Sequence, residues 1–187
     1  VHGYITVKGE KMSKSLGNFL TVKEVVQKFG PESVRYYLLR EISSSEDGDF
    51  SETRFKARYN GDLANGLGNF VSRVLALGSK LGKMRNNYAE DVEPKTEKAV
   101  LKARQTVAEK ISEFRLNEAI AAVWELISFG DEYINKTEPW KLKTKKSQLK
   151  PIFNLIVILD NVAALLQPFL PETAAKITKS INWLDSR

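Results

Sequence analysis

The chain has 187 residues, of which 42% are hydrophobic, enough to bury the core of one domain with a smaller neighbour. It carries 29 Lys and Arg against 23 Asp and Glu, and the net charge of +6 favours polyanionic partners, nucleic acid first. The absence of cysteine excludes disulfides, zinc-thiolate sites and iron-sulfur clusters, and the single histidine, His2, cannot build a metal site alone.

The sequence was also searched for membrane spans and targeting signals. We find no apolar run that approaches the length of a membrane span and no secretory signal at the N-terminus, which predicts a cytoplasmic protein. The chain begins at Val1, already inside an apolar alternation, which predicts a piece of a longer polypeptide.

The first fifty residues predict one strand, a polar loop and two short helices. Val1–Val7 alternates and is rich in β-formers, so it is expected to be a strand that ends in a turn at Gly9. A loop, GEKMSKSLGN, follows. Thr21 with Glu24 forms a capping box that opens a helix, and Pro31 stands at the first position of a second helix.

The rest of the chain predicts helices almost throughout. The acidic SSEDGDF segment is expected to turn and end in one short strand, after which Ser51 and Glu52 open a long helical region to about Asn86, weakened in its middle by glycines. A loop is predicted over Tyr88–Lys95. Further helix starts are expected near Glu97, Leu116 and Lys145, with Pro168 and Pro171 interrupting the end, and their apolar stripes at helical spacing indicate a bundle core.

These elements predict a mainly α protein. A short α/β segment with one or two strands, residues 1–50, precedes a helical bundle over residues 51–187.

The loop combines residue types that suit phosphate. Lysine ammonium groups act on phosphate as point charges, serine hydroxyls bond phosphate oxygens, and glycines let the backbone bend close to a ligand. Lys11, Ser13 and Lys14 stand within four residues of one another, a pattern that fits a nucleotide clamp. The same composition also fits a solvated turn without a ligand.

The wider sequence resembles one family. VHGYITVKGEKMSKSLGN followed by GPESVRYYLLREISSSEDGDF is similar to the KMSKS loop and adjoining stem-contact segment of class I aminoacyl-tRNA synthetases, specifically the methionyl-tRNA synthetase family. YNGDLANGLGNFVSRV and EPWKL extend the similarity over nearly the whole chain.

The resemblance implies a role for the loop. In this family the loop closes on ATP, used with Mg²⁺, while methionine attacks the α-phosphate. Lys14 is then expected to stabilise the developing negative charge, and Lys11, Met12, Ser13 and Ser15 to contact ATP. The family's second ATP motif, HIGH, is missing here, so we expect a C-terminal portion that forms no adenylate alone. Without nucleotide, the Gly9–Asn18 loop is expected to be mobile.

The resemblance also implies recognition of tRNA(Met) through its CAU anticodon. The matching residues are Asn69, Arg73, Pro139 and Trp140. Asn69 and Arg73 are four residues apart, so one helical face would present an amide and a guanidinium together, and Trp140 would supply a stacking surface. Taken alone, the same residues also fit a helix cap, a surface charge and a core plug.

Neighbouring features serve as comparisons. Trp124 and Trp183 are expected to be structural, since Trp124 lies among apolar residues at helical spacing. The run Lys141–Lys146 suits anticodon-stem phosphates or a solvated turn. Two other functions remain open, a related synthetase of the cysteinyl type and a non-catalytic helical module that binds RNA or a protein.

Overall fold

The computed structural model describes residues 3–7, 9–12, 21–43, 46–81 and 92–185. The predicted mainly α fold is confirmed: helices make up most of the chain, and a three-stranded sheet lies near its start. The predicted mobility of the Gly9–Asn18 loop concerns a segment whose residues 13–18 lie outside the described ranges.

The small sheet is ordered β2-β1-β3. Strand β1 (Ile5–Val7) pairs antiparallel with β2 (Glu10–Lys11) and parallel with β3 (Gly48–Phe50). The tight β1-β2 turn requires Gly9, whose φ of 76° lies in the left-handed region. The sequence predicted a strand over Val1–Val7, but the observed β1 starts at Ile5, and Gly3 and Tyr4 lie before it outside the strand. The short β3 is as predicted, and the two-residue strand β2 is an addition.

Helices α1 (Val22–Phe29) and α2 (Pro31–Glu41) follow the loop, with their predicted signals in place. Thr21 and Glu24 form the reciprocal capping box, and Pro31 occupies the first turn of α2. Neighbouring tyrosines of α2 enter two separate cores. Tyr36 belongs to the large core of the bundle, and Tyr37 belongs to a small cluster with Val34, Phe50 and Phe55. Helix α2 therefore packs against both the large core of the bundle and the small cluster.

The long helical region after Ser51 is not uniform. Ser51 caps α3 (Glu52–Arg58) as predicted, but a ten-residue π-helix, Tyr59–Gly68, follows before α4 (Asn69–Leu81). Glycine lowers α-helical propensity, and the three glycines of this stretch coincide with the looser winding. The expected end near Asn86 lies outside the described residues.

The bundle contains α5 (Pro94–Ser112), α6 (Leu116–Thr137), α7 (Lys145–Leu166) and α8 (Pro171–Asp185). The predicted starts at Leu116 and Lys145 are confirmed. Helix α5 starts three residues before Glu97, because Pro94 suits a first helical position. The predicted loop over Tyr88–Lys95 is therefore wrong at its end, and residues 88–91 lie outside the described ranges.

Helix α7 lies at the centre of the bundle, where Leu155, Ile158, Leu159 and Val162 are fully buried. By length and composition alone it qualifies as a membrane-spanning helix, contrary to the expectation that no run is long enough. However, 56% of that stretch is buried inside the protein, and the central helix of a globular bundle passes the same test. Gly130 of α6 permits close packing here, because a Cβ atom at this position would lie 2.5 Å from the Phe70 ring.

Candidate nucleic-acid interface

Asn69 and Arg73 occupy the first two turns of α4. Asn69 is the first residue of the helix and is exposed, and Arg73 follows one turn later with 39% of its side chain exposed. Their spacing of four residues places both on one helical face, as the sequence predicted.

The guanidinium of Arg73 is held by two side chains of α6. Its Nη1 donates to Asp131 Oδ1 at 2.8 Å, and its Nη2 donates to Asn135 Oδ1 at 2.8 Å. Asp131 and Asn135 are themselves one helical turn apart, so they present two acceptors along the same side of α6. The arrangement fixes the plane of the guanidinium and leaves part of it exposed.

Sequence reasoning missed both partners of Arg73. Their i, i+4 spacing on α6, a few residues before Pro139 and Trp140, was the available signal. Nothing in a single sequence states that α4 packs against α6 in the register that brings these residues to Arg73. The structure supplies that information, and it adds Asp131 and Asn135 to the candidate site.

Asp131 has an unusual titration environment. Burial raises the pKa of its carboxyl group, and the hydrogen-bonded guanidinium of Arg73 partly offsets this effect. The pKa of Asp131 is therefore higher in the folded state than in the unfolded state. As pH rises from the unfolded-state pKa through the folded-state pKa, the contribution of Asp131 to the free energy of unfolding falls, and the folded protein becomes less stable.

Replacing Arg73 with Gln should therefore raise the pKa of Asp131 further, since burial then acts without the opposing charge. The Asp131 carboxyl titration, followed by NMR in both proteins, measures this shift. Arg104→Gln is the matched control, because Arg104 is exposed on α5. An unchanged or lowered Asp131 pKa in the Arg73 variant would contradict the pairing.

Trp140 lies in a short turn directly after α6. Glu138 adopts a left-handed conformation with φ 40°, and a 3₁₀ turn, Pro139–Lys141, follows. Trp140 is 50% exposed, whereas Pro139 is buried. A stacking surface for a base requires this exposure, and the buried proline is suited to fixing the turn rather than touching RNA.

The turn that carries Trp140 is anchored on both sides. The Lys141 amide donates to the Glu138 carbonyl at 2.8 Å, and Gln148 Nε2 of α7 donates to the Leu142 carbonyl at 2.7 Å. Since Arg73 contacts Asn135, near the last turn of α6, the guanidinium and the tryptophan turn lie at the same end of that helix.

The surroundings of this turn are basic. Lys141, Lys143, Lys145 and Lys146 are all exposed, and Lys141 forms a surface ion pair with Glu138 at 2.7 Å. Exposed pairs of this kind contribute little to stability, so the lysines remain available to a polyanion.

Trp124, the structural comparison, is half-buried rather than fully buried. Its ring packs on Tyr36 of α2 with centroids 4.9 Å apart, and its indole Nε1 is buried without a hydrogen-bond acceptor among the described residues. Its packing role is as predicted. The side chain of Trp183 lies outside the described residues.

Only the start of the predicted ATP loop is described. Lys11 is exposed at the end of β2 and lies 5.9 Å from the Tyr4 ring centroid, and half-buried Met12 lines a small apolar pocket with Val22 and Phe50. Ser13, Lys14 and Ser15 lie outside the described residues. Their assigned roles stay predictions.

Asp49 of β3 secures the turn that leads into this loop. Its carboxylate accepts from the Gly9 amide at 2.8 Å and from the Thr6 hydroxyl at 3.0 Å, and the first of these bonds is the main reason that its pKa is lowered. The sequence offered no direct sign of this contact, which spans forty residues. Across the described ranges, no group of three or more His, Cys, Asp or Glu side chains is placed to hold a metal ion.

Two protein-family models match this chain, one over its N-terminal part and one over its C-terminal part. Residues 1–75 match the family of class I tRNA synthetases (M), and residues 97–186 match the anticodon-binding domain of tRNA ligases. These two matches place Asn69 and Arg73 in one family model and Trp140 in the other. The predicted division at residues 50 and 51 stays a prediction.

Similar proteins include methionine–tRNA ligases from Clostridium acetobutylicum, 38% identical over 97% of this chain, and Rhizobium meliloti, 39% identical over 94%. The chain spans 29% and 35% of their respective lengths. A structure of Mycobacterium tuberculosis methionyl-tRNA synthetase bound by methionyl-adenylate matches 95% of this chain and 37% of that one, with 28% identity and a TM-score of 0.80.

Proposed function

Because the chain belongs to the class I tRNA synthetases of the methionine type, we propose that it forms part of a methionine–tRNA ligase, which joins methionine to tRNA(Met) at the expense of ATP. In this proposal the chain is the C-terminal portion of a cytoplasmic enzyme. Residues 1–50 carry the KMSKS loop and the stem-contact segment, and residues 51–187 bind the anticodon.

One observation carries the anticodon part of the proposal. Arg73 is oriented by two acceptors of α6, and the turn that follows this helix exposes Trp140 on a buried proline. Sequence-specific RNA recognition uses unstacked bases, which stack on aromatic rings and bond through their edges. A stacking ring and a fixed guanidinium at the same end of α6 meet those two requirements, and the exposed amide of Asn69 adds a donor and an acceptor for a base edge.

The ATP part of the proposal concerns the loop after β2. Lys14, assisted by Lys11, would stabilise the negative charge that develops on the phosphates of ATP, which would be used together with Mg²⁺. Met12, Ser13 and Ser15 would contact the nucleotide. The half-buried Met12 would anchor the base of the loop, because its side chain lines an apolar pocket while Lys11 faces solvent. The firm β1-β2 turn fixes where that loop begins.

An RNA-binding measurement on the whole chain tests the anticodon role. We expect an RNA stem-loop with a CAU anticodon to bind more tightly than otherwise identical stem-loops with altered anticodons. Asn69→Ala and Arg73→Ala should each reduce the preference for CAU, and loss of one specific base contact costs about 1 to 3 kcal/mol.

Arg104→Ala is the matched control, since it removes an exposed arginine from the surface of α5 and should leave the preference unchanged. Equal affinity of the unaltered chain for all anticodons would count against the proposal. It would favour a helical module that binds RNA without reading it. Preference for a cysteine anticodon would instead favour the related synthetase.

A further inference from the structure

The N-terminus of α8 is capped by a residue from a distant part of the chain. The carboxylate of Glu32, in α2, accepts from the Glu172 amide at 2.6 Å, from the Thr173 amide at 3.0 Å and from the Thr173 hydroxyl at 2.6 Å. These contacts join residues 140 and 141 positions apart in sequence.

The local sequence cannot supply this cap. Helix α8 begins at Pro171, so the residue before it is Leu170, which is buried and has no side-chain oxygen. Helices prefer Ser, Thr, Asp or Asn at that position, because the side chain accepts from the amides of the second and third helical residues. Glu172 and Thr173 are those residues, and Glu32 takes the place of the missing acceptor. Its negative charge also suits the positive end of the helix dipole.

The cap formed by Glu32 borders a cleft. This cleft has a volume of about 480 Å³ and is lined by the start of α2, the π-helix, α4 and the start of α8. Tyr36, one turn after Glu32, is instead fully buried in the bundle core and donates to Asp62 Oδ2 of the π-helix at 2.6 Å. Helix α2 is therefore fixed at Tyr36 by packing, while its N-terminal end is held across the cleft by hydrogen bonds to Glu32.

We propose that Glu32 is a positioning residue that sets the angle between the segment carrying the ATP loop and the bundle that carries the anticodon interface. Helix α2 is shared by both cores, so rotation of its N-terminal end about Tyr36 would move α1 and the small sheet relative to α8. The inference rests on the proposed function, because only a tRNA that touches both parts at once requires a fixed angle between them. A stem-loop that touches the bundle alone does not.

A distance measurement tests the cap without reference to RNA. The chain has no cysteine, so Gln27→Cys on α1 and Arg104→Cys on α5 provide two unique spin-label sites, both exposed. We expect a narrow distance distribution in the unaltered background and a broader one in Glu32→Ala, with faster amide exchange at Glu172 and Thr173. Glu32→Gln keeps the shape of the side chain, so it is measured as a second variant in case Glu32→Ala misfolds. Glu172→Gln is the matched control, because its backbone amide remains capped.

The functional consequence is measured in the complete enzyme that contains this chain. With Glu32→Ala we expect kcat/KM for charging of whole tRNA to fall by about ten- to a hundredfold, the scale of a misplacement remote from the chemistry. Adenylate formation and affinity for the CAU stem-loop should stay unchanged. This split distinguishes positioning from a general loss of structure.

Other results would overturn the inference. An unchanged distance distribution, or unchanged charging of whole tRNA, removes the positioning role. A common fall in charging, adenylate formation and stem-loop affinity, together with early melting, would show that Glu32 serves only bundle stability. If the unaltered chain does not prefer the CAU stem-loop, the proposed function fails, and the distance measurement still decides whether Glu32 sets the angle.

Discussion

Lys14→Ala should slow formation of methionyl-adenylate in the complete enzyme by at least about a hundredfold, while the affinity for ATP in the ground state changes little. The reason is that a charge aimed at the phosphates lowers the barrier only to the extent that it interacts more strongly with the transition state than with bound ATP. Loss of one preorganised donor typically costs this much. Single-turnover kinetics of adenylate formation, with ATP binding measured separately, give the two quantities.

Lys23→Ala provides the control for this experiment. Lys23 is exposed in the first turn of α1, shortly after the loop, and its removal changes the net charge by the same amount. We expect it to leave both quantities near their original values. An equal loss of ATP affinity and rate in Lys14→Ala would mean that the lysine binds the nucleotide uniformly and has no special role in the transition state.

The helices whose ends are marked by local chemistry could be predicted closely from sequence. The Thr21–Glu24 capping box, Ser51 at the start of α3 and Pro31 at the start of α2 each act within one turn of the residues they cap. Such signals are complete in the sequence, because both partners are neighbours along the chain.

The π-helix and the start of α8 depend on information that neighbours do not carry. Glycines at 61, 66 and 68 indicate a weak helix, but whether the backbone winds as α or π depends on how α3 and α4 are fixed by the parts they pack on. Leu170 and Pro171 give no local cap, and the capping carboxylate of Glu32 comes from a residue far away in sequence. Tertiary packing decides both features.

In the candidate interface, too, some residues could be predicted from the sequence and others depend on tertiary packing. Its principal residues, Asn69, Arg73 and Trp140, were predicted from the family resemblance and from the one-turn spacing of the first two. The partners that orient Arg73 were not, since they depend on the register between α4 and α6. The exposure of Trp140 follows from the left-handed Glu138 and the buried Pro139, a turn conformation that the dipeptide Pro-Trp alone does not specify.

Trp140→Ala should weaken RNA binding, whereas Trp124→Ala should lower folding stability. Trp140 is half exposed in the turn after α6, so its removal creates no large cavity, and we expect the melting temperature to change little. Affinity for the CAU stem-loop should fall by about 1 to 3 kcal/mol, the usual value of one base stacked on an aromatic ring. Trp124 packs on Tyr36 between α2 and α6, so its removal should cost about 3 kcal/mol of folding stability through lost packing.

The comparison is made by thermal melts and by affinities for CAU and altered stem-loops, with both variants measured below their melting temperatures. Under those conditions Trp124→Ala should keep its preference for CAU, because its ring lies between helices and not at the turn that carries Trp140. If Trp140→Ala melts early yet binds CAU with unchanged preference, the exposed ring of Trp140 is a structural feature of the turn, and the anticodon base must stack elsewhere.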